Sequence, residues 1–191
     1  MKEGYPPITL SLPDWVAPLV ADRPGPLLDD TAGMGLAVAL AAENVRRGSG
    51  GPFGAVIVDA HGGVVAPGVN CVEPAAQSWA HAEMVAVALA QGRLGHHDLS
   101  THPAAPLTLY SSGEPCAMCL GALPWSGVAT VVTAAREVDI TAIGFDEGDK
   151  PAGGLACLAR HGISVRTDVL RAEARAVLED YVARGGKLYH P

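Results

Sequence analysis

His81 and Glu83 stand two positions apart at the head of "SWAHAEMVAVALA" (78–90), a run that turns apolar and helix-forming after them. Within a regular helix, residues i and i+2 do not face each other. An imidazole and a carboxylate at this spacing share a target only at a helix's first turn, where side chains reach past the end. A second cluster offers that target. In "EPCAMCLGALPW" (114–125), Pro115 precedes Cys116 and Cys119, as a proline at the front of a helix does. Cysteines three apart share one helical face, and a helix N-terminus lowers thiol pKa toward the thiolate that binds metal. His81, Cys116 and Cys119 together supply one nitrogen and two sulfurs. Three protein ligands leave one position of tetrahedral zinc open, the mark of a catalytic site rather than a structural one. Two other chemistries fit the same residues. One is a redox C-x-x-C, although thioredoxin-like motifs do not come with an upstream His-x-Glu. The other is a structural zinc closed by Cys71, Cys157 or His61.

The elements around these clusters must bring them together. "DDTAGMGLAVALAAENVRRGSGG" reads as a helix capped by Asp29 or Asp30 and ended by Gly48. Arg46 and Arg47, in its last turn, complement the helix dipole. "GAVIVD" (54–59) and "GVVAPGVN" (63–70) flank "AHGG" as a hairpin, with Pro67 marking an edge or a bulge. A helix over 81–91, a His-rich loop and a strand over 107–111 follow. "CAMCLGAL" is a short helix stopped by Pro124, and 128–134 is a strand. "GGLACLARHG" reads as helix, "ISVRT" as strand and "VLRAEARAVLEDYVARG" as the closing helix. Strands alternating with helices after one hairpin predict an α/β fold, one mixed sheet with helices on both faces. Sites in such sheets form where strands end and helices begin.

Bulk properties narrow the class. At 191 residues the chain is one domain (29–191) preceded by a proline-rich N-terminal arm (1–28) that holds Pro6, Pro7, Pro13, Pro18, Pro24 and Pro26. The net charge of −7, with only three lysines, argues against a broad nucleic-acid surface. Four cysteines are too few for a disulfide scaffold at this length. The N-terminus lacks the apolar stretch of a signal peptide, and no run approaches the roughly 20 apolar residues that span a bilayer. The expectation is a reduced, cytoplasmic, soluble protein. His96, His97 and His102 decorate a surface loop, and Cys71 and Cys157 read as small buried residues.

"HAE" at 81–83 with "PCAMC" at 115–119 resembles the signature of the cytidine deaminase superfamily. "GGPFGAVIVD" (50–59), "GVN" (68–70), "AHAE" (80–83), "EPCAMCLGALPW" (114–125) and "GFDEG" (144–148) resemble its bacterial guanine deaminase branch. The resemblance implies a three-layer α/β/α sandwich and a homodimer with zinc in each subunit, converting guanine to xanthine and ammonia. It implies zinc on His81, Cys116 and Cys119, with Glu83 as proton shuttle. It further implies that Glu147 lies near the reacting amino group. Asn70, Phe53, Ala82, Trp125 and Tyr189 are implied to contact the base, Tyr189 from a C-terminal segment that crosses to the partner.

The sequence departs from that branch in places. Gln77, Ser78 and Trp79 stand where the branch commonly has Asp-Pro-Thr. Tyr189 is followed by two more residues, and the arm is longer than usual. A guanosine-type nucleoside, a pyrimidine nucleoside or an amino-triazine is the alternative substrate. A tRNA adenosine deaminase shares both motifs but needs a basic groove. A non-catalytic zinc-stabilised interaction module has no use for Glu83.

Overall fold

The computed structural model describes residues 4–5, 7–23 and 25–189. Pro6 and Pro24 of the arm lie outside the described residues. A five-stranded sheet runs in the order β2-β1-β3-β4-β5. Its strands are β1 (Gly54–Val58), β2 (Val64–Val69), β3 (Thr108–Gly113), β4 (Thr130–Ala135) and β5 (Ser164–Arg166). β1 pairs antiparallel with β2 and β3, whereas β3, β4 and β5 run parallel. The mixed sheet is therefore a hairpin joined to two crossovers. Pro67 sits on the edge strand β2, where a missing donor is tolerated.

Both faces are covered, which is why all five residues of β1 are buried. Val56, Val58, Tyr110 and Val132 pack beneath α2 (Asp30–Arg47) and α7 (Arg171–Ala183). Ala55, Ile57, Leu109 and Val131 face α4 (Ala82–Leu94), α5 (Ala117–Ser126) and a 3-10 helix over Gly154–His161. The last segment was expected as an ordinary helix. Gly153 and Gly154 open it in left-handed conformations, and it stays tightly wound. Asp29 caps α2 by accepting from the Ala32 amide at 2.7 Å. Asp30 turns instead to Arg166 and the Tyr110 hydroxyl. Arg46 and Arg47 both pair with Glu43.

Pro124 does not stop α5. The helix continues to Ser126 and ends at Gly127, whose φ of 78° is left-handed. Proline's fixed φ is helical, so in the last turn it costs one hydrogen bond without reversing the chain. From Leu10 the described part of the arm packs against the core, whereas Tyr5 and Ile8 are exposed. It forms α1 (Val16–Ala21), Trp15 donates to Ser49 Oγ at 3.1 Å, and Val16 is buried. Among the described residues no helix is long and apolar enough to cross a membrane.

One glycine seats the site-bearing helix. A Cβ at Gly68 would fall 2.1 Å from the Ala82 carbonyl oxygen and 2.7 Å from the Ala86 amide. The first turn of α4 thus lies flush on β2, backbone against backbone. Gly68→Ala is expected to cost about 1–3 kcal/mol, as overpacking does, seen as a Tm lower by about 3–10 °C. An unchanged Tm would mean that α4 can lift off the strand freely.

Candidate active site

The hairpin ends at Asn70 and the chain passes through α3 (Val72–Ala75) to reach α4. His81 is the N-cap of α4 and Cys116 the N-cap of α5, both with extended backbone. Two helix starts therefore meet beyond the ends of β2 and β3. Cys119 sits in the first turn of α5. The ligand atoms of His81, Cys116 and Cys119 all lie within 4.8 Å of one another, and among the described residues this is the only such group. His81 Nδ1 and Cys116 Sγ are 3.5 Å apart. A tetrahedral zinc with ordinary bond lengths holds such an N–S pair about 3.6 Å apart, so the donor set fits zinc. Cys71, Cys157 and His61 do not join it, and the closed structural site finds no fourth ligand there. The four cysteines are free.

Electrostatics favour metal binding. A hydrogen bond from the Cys119 thiol pulls Cys116 down to about 4, against the opposing effect of burial, with His81 helping. The same bond, with burial, pushes Cys119 well up. A metal held by both sulfurs takes them as thiolates and displaces their protons. Burial works against charge on His81, but the bond to Cys116 and the neighbouring negative charges outweigh it and raise its pKa. Glu83, 6% exposed, has its pKa raised first by burial and then by the Cys116 charge. As the second residue of α4 after an extended N-cap, Glu83 reaches the space beside the three ligands. The His-x-Glu spacing works because the helix begins between the two.

That space is a cavity of about 580 Å³. Phe53, Asn70, Glu83, Glu147 and Tyr189 line it with the ligands His81 and Cys116. Asn70 is buried, its carbonyl held by Asn44 Nδ2 at 3.0 Å and its Oδ1 accepting from the Val72 amide at 3.3 Å. Phe53 meets Phe145 edge-on at 5.3 Å, and Phe145 meets Tyr189 edge-on at 5.4 Å. Glu147 is 8% exposed, and its backbone oxygen accepts from the Ala117 amide at 2.9 Å. The acidic loop is thereby bonded to the first turn of α5, one residue past a metal ligand. Burial raises the Glu147 pKa to about 7, although Lys150 opposes the shift.

Two of the residues expected at the base do not line the cavity. Trp125 is 83% exposed and does not line the cavity. Cys119, Leu120 and Leu123 occupy the inner face of α5, which turns Trp125 outward on the same face as Met118, seven residues earlier. Ala82 is fully buried beneath β2, where its carbonyl meets Gly68, and is no part of the wall. Trp79 packs toward the core, so Ser78 faces the cavity in its place. Tyr189 lines the cavity of its own chain. The tail turns at Gly185 (φ 73°) and is pinned by the Tyr181 hydroxyl donating to the Lys187 carbonyl at 2.7 Å. The Tyr189 hydroxyl is buried without a hydrogen-bond partner. The sequence reading missed Phe145 and Asn44. Phe145 was visible within "GFDEG", whereas nothing in the helical run marked Asn44.

A mixed sheet carrying a His-Cys-Cys group and a buried glutamate at two helix starts defines a zinc-dependent hydrolytic deaminase of nucleobases. Residues 28–135 match the cytidine and deoxycytidylate deaminase zinc-binding region, and the chain belongs to that family. The guanine deaminase of Bacillus subtilis (strain 168) is 43% identical over 122 residues, which are 61% of this chain and 74% of that protein. A solved structure of guanine deaminase from Nitrosomonas europaea is similar over 94% of this chain and 100% of its own, at 40% identity and TM-score 0.86. Another solved structure, in complex with 2,6-diaminopurine, matches over 96% of both chains at 40% identity and TM-score 0.88.

Proposed function

We propose that this deaminase hydrolyses guanine to xanthine and ammonia. The observation that carries the reading is two buried carboxylates lining one aromatic-walled cavity, Glu83 in the turn after His81 and Glu147 in the loop bonded to the start of α5. Zinc, when bound to His81, Cys116 and Cys119, supplies a Lewis acid that makes water nucleophilic at neutral pH. Glu83 takes one proton of the attacking water and passes it to the ring nitrogen; as the carbonyl forms it takes the remaining hydroxyl proton and gives it to the amine, which departs as ammonia. Its burial keeps proton affinity high enough for both tasks. Glu147 accepts hydrogen bonds from the exocyclic amine through the carboxylate oxygen turned away from Lys150, since Oε2 is buried 3.5 Å from the Lys150 Nζ. Asn70 fixes the edge of the base, and Phe53 and Tyr189 exclude water from its faces. The similarity to the two guanine deaminases supports the same substrate.

The acidic wall and the net charge of −7 disfavour tRNA. We also propose a homodimer, supported by Met118 and Trp125, which expose apolar surface along one face of α5. Ammonia release should be assayed on guanine, guanosine, cytidine, an amino-triazine and tRNA. Xanthine formed from guanine is the expected result, and release from tRNA alone would overturn the reading.

Glu147→Gln is expected to lower kcat about 10- to 150-fold with zinc content unchanged. A charged hydrogen bond contributes about 1.5–3 kcal/mol, which converts to that range. A neutral outcome in steady-state kinetics would make Glu147 part of a merely solvated turn.

A further inference from the structure

Lys150 has no place in the chemistry described so far, yet its side chain is only 6% exposed. It is surrounded by three carboxylates from three separate segments. Its Nζ lies 3.3 Å from Glu114 Oε1, 3.3 Å from Glu137 Oε2 and 3.5 Å from Glu147 Oε2. Glu114 sits two residues before the ligand Cys116, Glu137 begins α6 (Glu137–Ala142), and Glu147 belongs to the acidic loop. Gly148, at φ 70°, bends that loop so that residue 150 returns over residue 147.

The distances differ in kind. Glu114 receives a hydrogen bond from Lys150, and its other oxygen accepts from the Glu137 amide at 3.2 Å. Glu147 Oε2 lies just beyond hydrogen-bond range and accepts from nothing else. The ammonium therefore backs the buried Oε2 and balances the charge of Glu147, leaving the other carboxylate oxygen for the cavity. Glu114 and Glu147 both line the cavity while Lys150 does not. Without the cation, two neighbouring carboxylates of low exposure would repel, and one would swing out or take up a proton.

We infer that Lys150 is a positioning residue, holding the Glu147 carboxylate inside the cavity with an oxygen free for the amine that leaves the substrate. The inference deepens the guanine reading and rests on it. It acts through Glu147 alone, so its loss must be redundant with loss of Glu147. A simple structural ion pair predicts independent losses instead.

The test is a double-mutant cycle of Lys150→Met and Glu147→Gln, with zinc content measured on each protein. Lys150→Met should keep its zinc and lose about 10- to 100-fold in kcat, the size of effect seen when an outer partner is removed from a catalytic group. KM should move far less. Lys150→Arg should recover most of the loss. The double variant should be no slower than Glu147→Gln. A kcat within a few-fold of the parent, or losses that multiply, would overturn the inference. A crystal structure of Lys150→Met supplies a readout without substrate, in which the Glu147 carboxylate should leave its cavity position. A parent enzyme inactive on guanine would defeat the substrate assignment, while the unmoved or displaced carboxylate would still decide the role of Lys150. Failure of both Lys150→Met and Lys150→Gln to fold would mark a structural residue and overturn it as well.

Discussion

Glu83→Gln is expected to keep its zinc and its fold while kcat falls by about 10⁴-fold or more. General acid–base groups contribute about 10²–10⁴-fold, and a residue that carries protons both to the ring and to the leaving group belongs at or above the upper end. Glutamine has the shape of glutamate, so the packing at the start of α4 is preserved. Glu83 is buried and its pKa is raised by that burial, so removing its charge should leave Tm unchanged or higher. Activity and stability thus move in opposite senses, which a misfolded variant cannot imitate. A loss below tenfold would assign the protons to another group, and Glu147, which lines the same cavity, is the candidate.

Cys116→Ala should abolish zinc binding and with it turnover. Lewis-acid stabilisation amounts to several kcal/mol, so the expected loss is about 10³-fold or greater. The variant also separates metal from chemistry through thermal unfolding. A metal that binds only the folded state raises stability by mass action. The parent protein should therefore lose Tm on chelation, and Cys116→Ala should start from the lowered value and ignore the chelator. Elemental analysis showing one zinc per chain in the variant, with full turnover, would remove Cys116 from the ligand set.

The chemistry of this protein was more legible in its sequence than the surfaces around it. His81, Glu83, Cys116 and Cys119 declare themselves because few environments use those side chains at those spacings, and their backbone requirement is local. Each ligand cluster needs only a helix start, and Pro115 and the apolar run after Glu83 announce one. The five strands and the longer helices followed from the same local signals, while the short helices α1, α3 and α6 did not. Direction is harder. Whether Trp125 points into the cavity depends on which face of α5 meets the sheet, and an uninterrupted apolar run such as "CLGALPW" has no polar side to mark it. Pro124 looked like a terminator because helix interiors exclude proline, but a last turn accepts it. Lys150 and Asn44 were invisible for a different reason. Each acts through partners distant in sequence, and lysine or asparagine alone is ordinarily solvated.

The meeting of two helix starts also has a meaning for the chain as a polymer. His81 and Cys116 are 35 residues apart in sequence, and the segment between them contains α4 and β3. Their ligation by one ion ties off that loop as a cross-link does. Closing a flexible loop of this length costs the unfolded chain about 3 kcal/mol through its length dependence, and the folded sheet has already met that cost. An ion held by His81, Cys116 and Cys119 would therefore also be a reversible staple, closing the stretch of chain that contains α4 and the central strand β3.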